Sequence, residues 1–286
     1  MVAIHAMDLD TALPCWMCAR LCRAKFIYDI CDFYSVSRFP TGPAWLARLA
    51  HRMEMFFVKR SDAVVMPTES RRVLFGKVEP PRLTILANVP PQQPTGKRER
   101  EPDRFVVLYV GVLSVRRGLR ELVEVVARHA DWQLVIGGIG GDEAEIREVA
   151  EGRENVQFIG KIPYSEVLEH TSVADVLPIT YDPSFPNHRH SSPNKLYEAM
   201  MVGVPVVVAR NTGVDDDVIR HDLGEVVEYG NVAELDDALK KLANRTDQQR
   251  EQFKIRTTEL FHDQFGPDIM SKRLRDLYEE VCGKAK

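Results

Sequence analysis

A chain of 286 residues has room for one large domain or two of ordinary size, and 44% apolar with 28% charged residues is the composition of a globular protein, not a disordered or fibrous one. A net charge of −4 gives no general case for nucleic-acid binding, and no apolar run reaches the length of a membrane span. No basic start followed by an apolar centre marks a secretory leader, and the five cysteines, an odd number, read as free thiols of a reducing cytoplasm.

Residues 2–4 read as a short strand, 11–24 as a helix and 26–30 as a strand. Cys15, Cys18 and Cys22 have a cluster-like spacing, but on a helix they share one face, where thiols pack as small hydrophobes. No His or fourth Cys completes a metal set. His5 alone reads more readily as a core histidine than as a base. Residues 44–60 form a long helix, apolar through Trp45, Leu46, Leu49, Met53, Phe56 and Phe57 and basic at Arg48, Arg52, Lys59 and Arg60. Its apolar side fits the core of a sheet protein, with an anionic membrane surface as the alternative. A strand at 63–66, a short helix at 68–75 and a strand at 83–87 complete a βαβα alternation, which predicts a parallel sheet.

Residues 90–103, rich in Pro, Gln and charge, read as an exposed linker. Beyond it, 105–112 is a buried strand, and Arg116-Arg117-Gly118 leads into a helix reaching residue 129. A strand at 134–136 feeds Gly137-Gly138-Ile139-Gly140-Gly141-Asp142 and a helix. This loop lacks the last glycine of the dinucleotide fingerprint, so it reads as a turn that lets backbones approach, and a dinucleotide oxidoreductase is the weakest reading. Strands at 156–160 and 176–179 flank a helix at 165–171. His188 and His190 have no third ligand and read as a loop without an ion.

Residues 191–208 organise the rest. Pro193 suits the first turn of a helix, Leu196, Tyr197, Met200 and Met201 recur at helical spacing, and Gly203 and Pro205 stop it before a β-branched strand. Asn194, Lys195 and Glu198 cluster at the helix's N-terminal end. Free N–H groups and the helix dipole favour an anion there, Lys195 adds a positive charge, and Glu198 can accept hydrogen bonds from a sugar diol. A buried helix with a solvated tip is the plainer alternative. Asp215, Asp216 and Asp217 suit a helix start, 226–227 is a short edge strand, and 232–243, 250–261 and 268–281 are helices.

The run Ser-Pro-Asn-Lys-Leu-Tyr-Glu-Ala-Met at 192–200, followed by Gly-Val-Pro-Val-Val, resembles the donor-site segment of the GT4-type (group 1) retaining glycosyltransferases, which have the GT-B fold. In that family a Glu, seven residues, Glu motif sits here. Its second Glu holds the nucleotide's ribose, and Glu198 occupies that position. The first contacts the donor sugar, and His190 stands in its place. Gly111 and Arg117-Gly118 are similar to the family's strand, Gly-x-Leu and Lys-Gly, whose cation contacts the donor diphosphate. A further family Arg falls at Val112, for which Arg116 is the substitute. Lys161-Ile162-Pro163 lies where the family packs the base. His-Ala-Met-Asp-Leu-Asp-Thr at 5–11 and Tyr-Asp-Ile-Cys-Asp at 28–32 resemble one branch of the family, with Met7 and Cys31 replacing polar residues.

The resemblance implies an α/β, GT-B-like chain of two Rossmann-like lobes with parallel sheets, the N-terminal one incomplete because some three leading strands of the family are absent. Residues 1–95 would be the acceptor-side lobe, 96–265 the nucleotide-sugar lobe, and 266–286 a helix returning to the first. The function implied is retaining transfer of a hexose from a nucleotide-diphosphate donor in glycan or glycoconjugate synthesis. Gly111, Arg117, Asn194, Lys195, Leu196 and Glu198 would bind the donor, and His5 and His190 are the candidates for a catalytic part. No metal or other cofactor is expected. The expected site of action is the cytoplasm, with peripheral contact at the membrane's inner face. The remnant sheet's open edge calls for a companion chain or a second copy, and the alternative function is a non-catalytic or half-enzyme subunit completed by such a chain.

Overall fold

The computed structural model describes residues 2–39, 42–91 and 104–283. The expected linker lies outside the described residues from position 92 onward, and so does the expected boundary after residue 95. Contacts divide the chain into two units: Met1–Asn88 with Phe185–Ser192 and Phe265–Lys286, and Val89–Ser184 with Pro193–Gln264.

In the first unit the elements run β1 (Ala3–Met7), α1 (Asp8–Cys22), β2 (Lys25–Asp29), α2 (Tyr34–Ser37), α3 (Ala44–Arg60), β3 (Ala63–Met66) and β4 (Leu83–Ile85). The strands form one parallel sheet in the order β1-β2-β3-β4. Period-two alternation supplies two cores. Phe26, Tyr28, Val64 and Met66 face Ala12, Ala19 and Phe57 from α1 and α3, while Ile27, Ala63 and Val65 face Leu277 of the C-terminal helix, Pro267–Cys282.

Two expectations for this unit change. Cys15 is half-buried, but Cys18 and Cys22 are exposed. The inward stripe of α1 is fixed by Ala12 and Ala19, seven residues apart, with Trp16 edge-on to Phe56 and Phe57. Cys18 is turned away from that stripe, and Cys22 is the helix's last residue. On α3 the expected apolar side splits. Phe57 and Val58 are core, whereas Trp45, Leu49 and Met53 are exposed, at 62%, 48% and 37%.

The second unit runs β5 (Phe105–Val112), α4 (Leu119–Val126), β6 (Trp132–Ile139), α5 (Glu143–Val149), β7 (Val156–Gly160), α6 (Tyr164–Ser172), β8 (Leu177–Ile179), α7 (Asn194–Val202), β9 (Val206–Ala209), α8 (Val214–His221), β10 (Gly224–Val227), α9 (Val232–Ala243) and α10 (Asp247–Leu260). Parallel sheets β5-β6-β7 and β8-β9-β10 are joined by a bridge between Val107 and Val176, where Leu108 N–H donates to the Val176 carbonyl at 3.1 Å. The order is therefore β7-β6-β5-β8-β9-β10, which reverses between β5 and β8. In open parallel sheets the crevice at such a reversal, at the strands' carboxyl ends, is where ligands are held. The glycines at the end of β6 and just after it serve close approach: a Cβ on Gly138, paired with Gly111, would fall 1.8 Å from the Gly111 carbonyl oxygen, and one on Gly140 2.0 Å from that of Leu113.

Candidate functional site

The loops leaving β5 and β8 meet at the strand-order reversal and pin each other. The Thr180 hydroxyl donates to the Arg117 carbonyl at 3.0 Å, Asp182 N–H donates to the Arg116 carbonyl at 2.8 Å, and the Arg116 guanidinium lies 3.1 Å from the Asp182 carboxylate. Gly118 completes the turn in the left-handed region at φ 69°, where a Cβ would fall 2.4 Å from Thr180 Oγ1. Only glycine fits both the backbone angle and the gap. The Asp142 carboxylate accepts from Ser114 Oγ and from Val115 N–H, both at 2.9 Å, which holds the loop from its other side. These hydrogen bonds keep the Asp142 carboxyl below its usual range.

Helix α7 points its first turn at these loops. Lys195 Nζ has no access to solvent and no hydrogen-bond partner among the described residues. It lies 3.8 Å from the centroid of the Tyr109 ring and 5.7 Å from that of Tyr181. The Arg117 guanidinium sits 4.2 Å over the other ring, Tyr181. Room for Nζ exists because Gly111 has no side chain; a Cβ there would lie 2.9 Å from it. Burial pushes the Lys195 ammonium well below its usual pKa, the neighbouring Arg117 pushes it further, and only Glu198 opposes. An unpaired buried ammonium beside a second cation is costly, and aromatic faces recover part of that cost.

Glu198 is one turn along α7 and 4% exposed. Burial raises its carboxyl above the usual range, against a hydrogen bond from Tyr164 and the attraction of Lys195. The Tyr164 hydroxyl, on that carboxylate, is itself pushed up to about 12, chiefly by burial. The structure thus brings Gly111, Arg117, Lys195 and Glu198 together. Asn194 is exposed at the start of the helix. The Leu196 side chain is core, and its N–H donates to the Pro193 carbonyl at 3.1 Å.

The histidine candidates belong to the other unit. His5 Nδ1 is 2.8 Å from the Tyr278 hydroxyl, and its Nε2 is 3.4 Å from the Asp29 carboxylate. The His190 carbonyl accepts from Arg71 Nε at 2.9 Å, and burial followed by Arg71 lowers its imidazole pKa. Arg71 is itself 7% exposed, pairs with Asp32 at 3.0 Å and donates to the Cys31 carbonyl. Asp8, at φ 58°, accepts from Asp32 N–H at 3.1 Å. Cys31 is pushed up to about 12 by burial and the neighbouring carboxylates, so its thiol stays protonated.

Sequence reasoning missed Tyr109, Tyr181, Tyr164 and Arg71. The signal for Tyr109 was present: one polar-tipped ring in a Val-rich buried strand, two residues before a glycine and hence on its face. Arg71 gave none, as one basic residue in a basic run.

Residues 93–259 match the family described as "Glycosyl transferases group 1". The chain is 26% identical over 185 residues to the capsular polysaccharide biosynthesis glycosyltransferase CapM of Staphylococcus aureus, covering 62% of this chain and 46% of that protein. It therefore spans about half the length of that curated relative. Among solved structures it resembles sucrose-phosphate synthase of Thermosynechococcus elongatus, with TM-score 0.74 and 19% identity over 98% of this chain and 73% of the other. HepE of Anabaena, solved in complex with UDP, gives TM-score 0.77 and 16% identity over 98% of this chain and 79% of the other. The parallel α/β architecture is that of GT-B glycosyltransferases.

Proposed function

Since the chain belongs to the group 1 glycosyl transferases, we propose that it moves a hexose, with retention, from a nucleoside-diphosphate donor held by the second unit. One observation carries this reading: at the strand-order reversal a buried ammonium, Lys195, has no hydrogen-bond partner among the described residues and sits beside Arg117, with Glu198 one turn away. The arrangement suits a dianion. A diphosphate would satisfy Lys195, Arg117 and the first N–H groups of α7, and Glu198 would accept the ribose hydroxyls. The same cations would offset the charge that gathers on the leaving diphosphate as the glycosidic bond breaks.

The site's pKa directions give this reading a test. Burial raises Glu198 and lowers Lys195, so the range in which both are ionised is narrowed from each side. Ribose hydroxyls favour the Glu198 carboxylate, so affinity falls as pH drops through its raised pKa. A diphosphate favours the Lys195 ammonium, so affinity also falls as pH rises through its lowered pKa. Calorimetric titration with UDP and GDP is expected to give a bell-shaped pH profile. In Glu198→Gln the acid limb should recede to the part set by the diphosphate's own last ionisation, at about 6, and a flat profile in the parent protein would remove the donor-site assignment.

The first unit favours further readings. On α3 the exposed Trp45, Leu49 and Met53 lie one turn apart, Arg48 and Arg52 are exposed beside them, and the helix's single acid, Glu54, is buried. This face suits an anionic membrane, and the chain's free thiols suit a reducing compartment. No described helix is long and apolar enough to cross a membrane. Separately, among the described residues β1 has a strand on one side only, and Leu13, Met17 and Leu21 are exposed along α1. That edge favours the second reading, a subunit completed by another chain or copy. Sedimentation with anionic vesicles is expected to carry the protein down at low salt and release it at high salt. No binding at low salt would dispose of the membrane surface, and a monomer by light scattering that transfers sugar would dispose of the subunit reading.

A further inference from the structure

Resting on the donor site above, we propose that Tyr109 is a positioning residue, the face of whose ring seats the Lys195 ammonium where the diphosphate binds. Tyr109 is fully buried, and its hydroxyl donates to the Val112 carbonyl at 2.5 Å, which fixes the ring against the end of its own strand. Gly111, two residues on, shares its face of β5. The ring supplies a floor and the glycine an opening, and Lys195 Nζ lies between them, 3.8 Å from the ring centroid and 2.9 Å from where a Cβ would stand.

The seat also explains why Lys195 is not spent on its neighbour. Glu198 is the carboxylate that attracts it, yet Nζ makes no hydrogen bond among the described residues, while the Tyr164 hydroxyl engages Glu198. One tyrosine thus holds the cation and another the carboxylate. An ammonium neutralised by a carboxylate would be a poorer phosphate ligand; on a π face its N–H donors stay uncommitted to another side chain.

The test uses the full chain and UDP and GDP as probes, by calorimetry. Tyr109→Leu is expected to weaken binding about tenfold, the scale of a desolvated cation–π contact, and Tyr109→Phe, which keeps the π face, to retain most of that affinity. If Tyr109→Leu does not fold, phenylalanines of increasing fluorination at position 109 keep the shape while emptying the ring face, and affinity should fall stepwise. In a Lys195→Met background the same series should be flat, a result that a merely structural role would not produce. Fluorination without effect, or with equal effect in both backgrounds, overturns the proposal while leaving the donor site standing. Failure of both nucleotides to bind the parent, or Lys195→Met leaving affinity unchanged, overturns the donor site and the proposal with it.

Discussion

Lys195→Met is expected to bind a nucleoside diphosphate about a hundredfold more weakly than the parent and, when empty, to be more stable. The loss follows from removing one buried, charge-assisted donor set from a diphosphate, roughly 3 kcal/mol. The gain follows from the same atom. Without ligand, Nζ is enclosed with no hydrogen-bond partner among the described residues, beside Arg117. An enclosed polar group without a partner costs on the order of 1–3 kcal/mol, and methionine fills a similar volume with no charge to desolvate. Binding sites commonly carry such a cost until the ligand offsets it. Urea unfolding without ligand and calorimetry with UDP or GDP measure the two halves independently. A variant that is less stable and binds equally well would show that Lys195 is an ordinary core lysine and that the anion belongs elsewhere.

The elements that position this site were largely legible in the sequence, because local rules and the fold agree. The strand Phe105–Val112 and the helix α7 ending at Gly203, with φ 76° at its C-cap, follow from β-branched runs, helical spacing and glycine stops. Arg117, Lys195 and Glu198 were legible as charges at helix starts. Their common neighbourhood was legible only through the family resemblance, because in the residues alone it depends on where β5 and β8 sit in the sheet, a long-range fact. The aromatic seats were hidden for a related reason: Tyr109 lies in a strand that reads as buried, Tyr181 falls beyond the strand at 176–179, and both are core; their rings become functional through what packs on them. The exposed Trp45, Leu49 and Met53 show the opposite failure. Helical periodicity finds an apolar stripe but cannot say what covers it. The cysteines of α1 failed for a smaller reason, since a face shared by three residues is not the face that small alanines bring to the sheet.

Glu54→Gln is expected to leave stability little changed at acid pH and to raise it by up to about 3 kcal/mol above neutrality. Glu54 is fully buried in α3, where it serves the start of α2 by accepting from Tyr34 N–H at 2.6 Å and from the Ser35 hydroxyl at 2.8 Å. Burial raises its carboxyl from 4.5 to about 7 despite those hydrogen bonds, and the nearby Asp8 adds to the rise. A group whose pKa is higher folded than unfolded binds its proton more tightly in the native state. Its contribution is complete below the unfolded value of 4.5 and is lost as pH climbs to about 7. His51, 3.9 Å away but 44% exposed, offsets little of this. The glutamine amide keeps an acceptor for Tyr34 N–H, lets its own N–H meet the Ser35 hydroxyl, and never ionises. Glu54→Ala lacks both and should be destabilised at every pH, since it strands the helix N–H groups. Urea unfolding of the three proteins across this pH range checks the sign, and parent and Gln curves that run parallel would show that Glu54 does not titrate there. The consequence reaches beyond stability, because α2 packs against the turn Pro186–His188 that leads into His190. The ionised Glu54 should therefore loosen the segment that presents one of the two histidine candidates.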